Sequence, residues 1–251
     1  MGLAVVTVAS GGLPVTEVTA YGMPVTEAVN LRGIAVTKIA ARGLPVTFVS
    51  ESGQVIPPFT GATLNGTNTL VVMSNGNLTV THNNTNTNAG VISTSAQTTG
   101  KFYFEYTQQT SISTSNQIGI MSSAWSGIFS SSEMTANATE LDLGTSSIIY
   151  SNGASTGKNL GTNVLGDIIC FAINLTSRLA FIRRNNGNWN ADGTANPATG
   201  VGGVVIAPTL SFRPIVRFGG AVAPTDAITA NFGASAFAFA VPSGFTAGWP
   251  A

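Results

Sequence analysis

The chain has a single histidine in 251 residues, His82, set in Thr81-His82-Asn83-Asn84, and that isolation removes most catalytic constellations at once. A Ser-His-Asp arrangement would have to be built on this one imidazole, and no His-rich metal site or His-x-x-x-His pair can be assembled. Among Asn and Thr, His82 is expected as a solvated turn residue. Carboxylates gather only at Glu133, Glu140 and Asp142, where the chemistry to look for is calcium binding or paired acids for glycoside hydrolysis. The Asp-x-Asp-x-Asp-Gly spacing and flanking aromatics are missing, so this stretch is expected as a wet loop. The sole cysteine, Cys170, cannot form an internal disulfide and lies in the apolar run Ile168 to Ile173, which fits a buried structural thiol. Gly200-Val201-Gly202-Gly203 lacks the strand before and helix after of a dinucleotide loop and reads as a turn. No catalytic residue, metal ligand or cofactor site is therefore assigned, and the chain is not expected to be an enzyme.

Side chains suited to binding are easier to find. Trp125 and Trp189 lie in loop-like contexts, Ser122-Ser123-Ala124-Trp125-Ser126-Gly127 and Asn186-Gly187-Asn188-Trp189-Asn190, the second beside Arg183 and Arg184. A tryptophan flanked by asparagines can stack on a sugar or enter a partner, because a flat apolar ring loses little entropy on ordering; packing within its own loop is the competing role. Glu105, within Phe102-Tyr103-Phe104-Glu105-Tyr106, is expected to pair with a basic neighbour.

The elements that must position these residues begin with a repeat. Five times in the first fifty residues the chain writes glycine, a large apolar residue, proline or alanine, then valine, with starts at Gly2, Gly12, Gly22, Gly33 and Gly43. Val and Thr favour extended chain while Gly and Pro punctuate it, so five short strands with turns are expected. A unit of about ten residues cannot bury its own apolar side chains. Leu13, Val15, Met23, Val25, Ile34, Val36, Leu44 and Val46 are the predicted assembly contacts, in a small layered β-solenoid or β-prism or in an extended arm laid over neighbours.

Composition agrees. Only 8% of residues are charged, ten basic and ten acidic for zero net charge, against roughly a quarter in ordinary soluble domains. Such a chain lacks the repulsion that keeps free proteins apart and has no basic stripe for phosphates, so partners are expected and nucleic acid is not. Its apolar runs are far shorter than the roughly 20 residues of a membrane helix, and no basic region precedes the first one, so neither membrane insertion nor a signal peptide is expected.

From residue 53 onward, short apolar segments alternate with turn residues such as Asn75-Gly76, and no useful helical period occurs. The expected fold class is all-β, a short N-terminal β-repeat segment (1–52) followed by a two-sheet antiparallel sandwich of jelly-roll or lectin-like type (53–251).

The sandwich region resembles the SPRY domain, the core of B30.2 modules and a relative in shape of concanavalin-like lectins. The matching phrases are Thr99-Gly100-Lys101-Phe102-Tyr103-Phe104-Glu105-Tyr106, Ile118-Gly119-Ile120, Gly166-Asp167-Ile168-Ile169, Ala172-Ile173-Asn174-Leu175, Leu179-Ala180-Phe181 leading to Asn186-Gly187, and Ala230-Asn231-Phe232-Gly233 followed by Phe237, Phe239, Pro242, Gly244 and Phe245. They run in the family's order over about residues 70–249. Asn174 stands where the family usually has Asp, and Arg183-Arg184 replace its usual Tyr-Lys. The resemblance implies a non-enzymatic module that recognises partners through loops at one edge. Joined to charge-poor repeats, it looks similar to structural proteins of tailed bacteriophages. That similarity implies a virion component (capsid decoration, collar, or tail or fibre part) made in the host cytoplasm, forming a homo-oligomer, a trimer, with other virion proteins as partners. The alternative is a receptor- or glycan-binding surface module meeting a host-surface glycan through Trp125, Arg183, Arg184 and Trp189.

Overall fold

The computed structural model describes residues 7–10, 18–21, 27–30, 39–42, 48–49, 55–56, 61–65, 70–83, 88–110, 116–124, 129, 137–143, 146–219 and 226–251. The chain divides into two compact units, Met1–Phe59 and Thr60–Ala251. Among the described residues no helix is long and apolar enough to cross a membrane.

In the first unit each of the first four repeats contributes one strand: β1 (Thr7–Ser10), β2 (Val18–Tyr21), β3 (Glu27–Asn30) and β4 (Ile39–Arg42). The strands occupy the later half of each repeat, past the proline or alanine, where every residue keeps its ladder donor. β1 pairs with β3 in parallel, Thr7 opposite Glu27, and β2 pairs with β4 in parallel, Val18 opposite Ile39. Each repeat thus pairs with the next but one, and the register follows the glycine spacing, Gly2 to Gly22 and Gly12 to Gly33. This is the register of a layered stack with two repeats per layer. β5 (Phe48–Val49) pairs antiparallel with β6 (Val55–Ile56). The eight predicted assembly contacts, Leu13 to Val46, fall outside the described residues.

The second unit is the expected sandwich. One sheet takes β7 (Leu64–Asn65), β10 (Ala89–Ser93), β12 (Gln117–Ser122), β13 (Ala138–Asp142), β14 (Ile148–Ser151), β15 (Ala154–Asn159) and β19 (Phe212–Phe218), in the order β15-β14-β13-β12-β19-β10-β7. The other runs β18-β17-β16-β11-β20-β9-β8, from β8 (Val71–Ser74), β9 (Thr79–His82), β11 (Lys101–Gln108), β16 (Ile168–Asn174), β17 (Leu179–Arg184), β18 (Val204–Val205) and β20 (Ala227–Asn231). The short β21 (Thr246–Ala247) pairs with β11 in parallel at Phe102, alongside the stretch of β11 that β20 does not reach. The two-residue turn Asn152-Gly153 joins β14 to β15 with both residues at positive φ (50° and 79°), which asparagine and glycine tolerate best.

Strand alternation sorts the side chains. On β11, Phe102, Phe104 and Tyr106 point between the sheets, and Tyr103 and Glu105 point outward; on β16, Ile169, Phe171 and Ile173 point in and Cys170 and Ala172 out. Facing them from the other sheet are Val91, Ile118, Ile120, Leu141, Ile149, Val216 and Phe218. Phe104 is the hub, stacked on Phe171 at 5.2 Å and meeting Tyr106, Phe232 and Trp249 edge-on at 5.7 Å each. Trp249, fully buried, comes from the C-terminal tail, and its Nε1 donates to the Ser95 carbonyl at 3.2 Å. Gly119 sits where three strands meet: a Cβ there would lie 2.3 Å from the Thr139 carbonyl oxygen.

Replacing the Trp249 indole leaves a large cavity beside Phe102 and Phe104. Trp249→Ala is expected to lower unfolding free energy by about 3–5 kcal/mol in a denaturant titration, and a loss below about 1 kcal/mol would show that the tail does not complete the core.

Candidate interaction surface

The outward face of β11 carries a carboxylate committed to the backbone. Glu105, almost fully buried, accepts from the amides of Ala238 at 2.9 Å and Phe239 at 3.1 Å and from the Tyr103 hydroxyl at 2.7 Å. The basic neighbour expected for Glu105 is replaced by main-chain donors, which supply partial positive charge without a second desolvated ion. The C-terminal strap is thereby held across the eight-stranded sheet, with Phe237, Phe239, Val241 and Phe245 packed on Tyr103, Cys170, Ala172 and Phe181. Burial pushes both the Tyr103 phenol and the Cys170 thiol up from their ordinary values. Cys170 is thus the buried structural thiol its sequence context predicts.

A second pin holds the loop after β17. Asn190, fully buried at φ 51°, accepts from the Ile182 amide at 2.8 Å and donates to the carbonyls of Ala180 at 3.1 Å and Gly202 at 2.9 Å. Asparagine suits this place because it tolerates the left-handed conformation and carries both donor and acceptor. Trp189, the preceding residue, is thereby set half-buried on the sheet, and the Arg183 guanidinium lies over its ring at 4.4 Å and over the Phe239 ring at 5.5 Å. Arg183 Nη1 donates to Asn186 Oδ1 at 3.3 Å. At the other end of the strap, Lys101 Nζ lies over the Phe245 ring at 5.8 Å.

Of the predicted binding residues, Arg183 and Trp189 are therefore brought together. Arg184 alternates away and pairs with Asp167 at 3.7 Å, lining a hollow of about 290 Å³ with Asn159, Leu160, Gly187, Asn188 and Ala191. Trp125 falls outside the described residues. Lys101, Phe239 and Phe245 were legible only as strand and tail residues, since what joins them is the path of the strap.

Two expectations are corrected. His82 is no solvated turn residue: it closes β9, where alternation places Val80 and His82 inward, and its fully buried ring stacks on Phe218 at 5.4 Å. Its amide donates to the Asp226 carbonyl at 2.8 Å, and the Asp226 carboxylate, raised by burial, accepts from Asn116 Nδ2 at 2.7 Å. Nor is the carboxylate stretch a wet loop. Glu140 and Asp142 lie on β13, on the outer face of the seven-stranded sheet, where Phe129 packs over Met121, Ala138 and Ile215, and Glu133 falls outside the described residues. Glu140 is fully buried, with neither carboxylate oxygen hydrogen-bonded. Arg217 on β19, across β12 from β13, donates to the Phe129 carbonyl, Gln117 and Asn88. Among the described residues no three His, Cys, Asp or Glu side chains are grouped to hold a metal.

No family model matches the chain, and no curated protein matches it. Solved structures do. The SPRY domain of human HERC1 aligns with a TM-score of 0.52 at 13% identity, over 66% of this chain and 96% of that one. The PSpry domain of TRIM65 aligns with a TM-score of 0.49 at 12% identity, over 68% and 92%. The HERC1 alignment, with the two antiparallel sheets described above, establishes a SPRY-like sandwich fold.

Glu140 generates a pH prediction. Burial pushes its carboxyl up to about 8, with Arg217 opposing and Asp142 adding to the rise. Burial pushes Asp142 up to about 6, again against Arg217. Each acid holds its proton more tightly folded than unfolded, so the folded chain binds more protons from the ordinary carboxylate range up to about 8, and stability falls as pH rises through that window. The Tm is expected to be several degrees lower at about pH 8.5 than at about pH 5, with the drop reduced in Glu140→Gln. A flat wild-type profile would contradict this.

Proposed function

We propose that this protein is a non-enzymatic binding module of a tailed-bacteriophage virion, in which the N-terminal repeats join an assembly and the SPRY-like sandwich meets a partner. The observation that carries the reading is the parallel pairing of alternate repeats. Among the described residues these are two-stranded ladders, a form that is marginal in water and whose edges offer amides and carbonyls to a further strand. A layered stack of this register is completed by adding layers from sister chains or from a capsid, collar or tail protein, and a trimer supplies three such stacks. The very low charge of the chain supports a life packed against partners.

For the sandwich, the fold supports recognition of a protein. The glycan reading relied on a free tryptophan face, and Arg183 already covers the Trp189 ring. Fold alone does not transmit a ligand, so the partner must be read from the surface itself.

The test is removal of residues 1–52. The truncated chain is expected to sediment as a folded monomer and to fail to join particles in a reconstitution with the remaining virion proteins. A truncated chain that still oligomerises and assembles would remove the role given to the repeats.

A further inference from the structure

We propose that the surface the C-terminal strap builds over the outer face of the eight-stranded sheet is a docking strip for an acidic segment of a partner protein, in which Arg183 receives one carboxylate and Lys101 a second. The inference deepens the binding-module reading given above and rests on it.

Three observations carry it. First, among the described residues the ion pairs are Lys158–Asp192 at 3.1 Å and Arg184–Asp167 at 3.7 Å, so the neighbouring cations are compensated while Arg183 and Lys101 have no carboxylate partner. The acid closest in register, Glu105, is taken by the Ala238 and Phe239 amides and the Tyr103 hydroxyl. Second, Arg183 is pre-organised. Its guanidinium plane is laid on Trp189 and Phe239, Nη1 donates to Asn186 Oδ1 at 3.3 Å, the Cys170 thiol lies within its reach, and Nε is buried with no hydrogen-bond partner. A planar fork held on aromatic rings loses little further freedom when it takes a carboxylate through two parallel bonds. Third, the rim is aromatic and half-buried: Trp189, Phe237, Phe239 and Phe245 offer anchors of the kind that dominate protein interfaces.

The register also sets a spacing. Lys101 lies opposite Asn174 and Asn174 opposite Leu179, whereas Glu105, Cys170 and Arg183 form the parallel row four residues along. The two cations are thus two strands and four residues apart, roughly 16 Å; an extended peptide with carboxylates four residues apart presents both on one face about 14 Å apart, and the long side chains close the remainder. A polypeptide is favoured over an acidic sugar because the Trp189 and Phe245 rings already carry a cation each, whereas carboxylate side chains need only the cations' outward edges.

The experiment uses the full chain and three probes: the capped peptide Glu-Ser-Gly-Ser-Glu, its Gln-for-Glu counterpart, and an oligoguluronate of similar length, each titrated by NMR or calorimetry. The glutamate peptide is expected to bind and to weaken as salt rises, with the glutamine peptide at least about tenfold weaker. Arg183→Ala should abolish binding; Arg183→Lys, which keeps the charge and loses the fork, should weaken it several-fold with the fold intact by circular dichroism. Lys101→Gln should halve the salt slope. Equal binding of the two peptides, undiminished binding by Arg183→Ala, or tighter binding of the oligoguluronate would each overturn the proposal. If the peptide fails while the full chain still joins particles, this strip is wrong and the wider reading stands.

Discussion

One buried carboxylate organises the outer face of the eight-stranded sheet. Glu105 points away from the core, and by accepting two main-chain amides and a phenol it draws the C-terminal strap down over Tyr103 and Cys170. The same strap, a few residues on, sends Trp249 between the sheets against Phe102 and Phe104. The aromatic rim follows from the Glu105 tether, while Trp249 is held by separate bonds, the Gly248 amide donating to the Tyr103 carbonyl at 2.7 Å and Trp249 Nε1 to the Ser95 carbonyl at 3.2 Å. A lysine or arginine partner would have neutralised the charge without fixing the backbone of residues 238 and 239.

The sandwich was largely legible in the sequence because period-two alternation is explicit there. Phe102-Tyr103-Phe104-Glu105-Tyr106 and Ile169-Cys170-Phe171-Ala172-Ile173 state which side chains face inward, and both became central strands. Polar residues on covered faces were misread for the same reason. His82 and Glu140 look wet beside asparagine and threonine, but each holds an inward or covered position in its own strand's alternation. Coverage of an outer face depends on segments distant in sequence, such as Phe129 over Gly90, which local pattern does not encode.

The interaction surface was half legible. Arg183 and Trp189 are close in sequence, and the loop pinned by Asn190 returns one onto the other. Phe239 and Lys101 joined them only through the strap's path, a long-range fact. The repeats were legible as repeats, and their pairing partners followed from the glycine spacing once the register of alternate units was seen.

The central claim, that Glu105 holds the strap and so builds the binding face, is tested most directly by amide hydrogen exchange in the wild type and in Glu105→Ala. The Ala238 and Phe239 amides should be protected in the wild type to nearly the level of β11. Glu105→Ala should lose that protection across residues 234–245 while β12 and β19 keep theirs. Rapid exchange at 238 and 239 in the wild type, or protection unchanged in Glu105→Ala, would contradict the account.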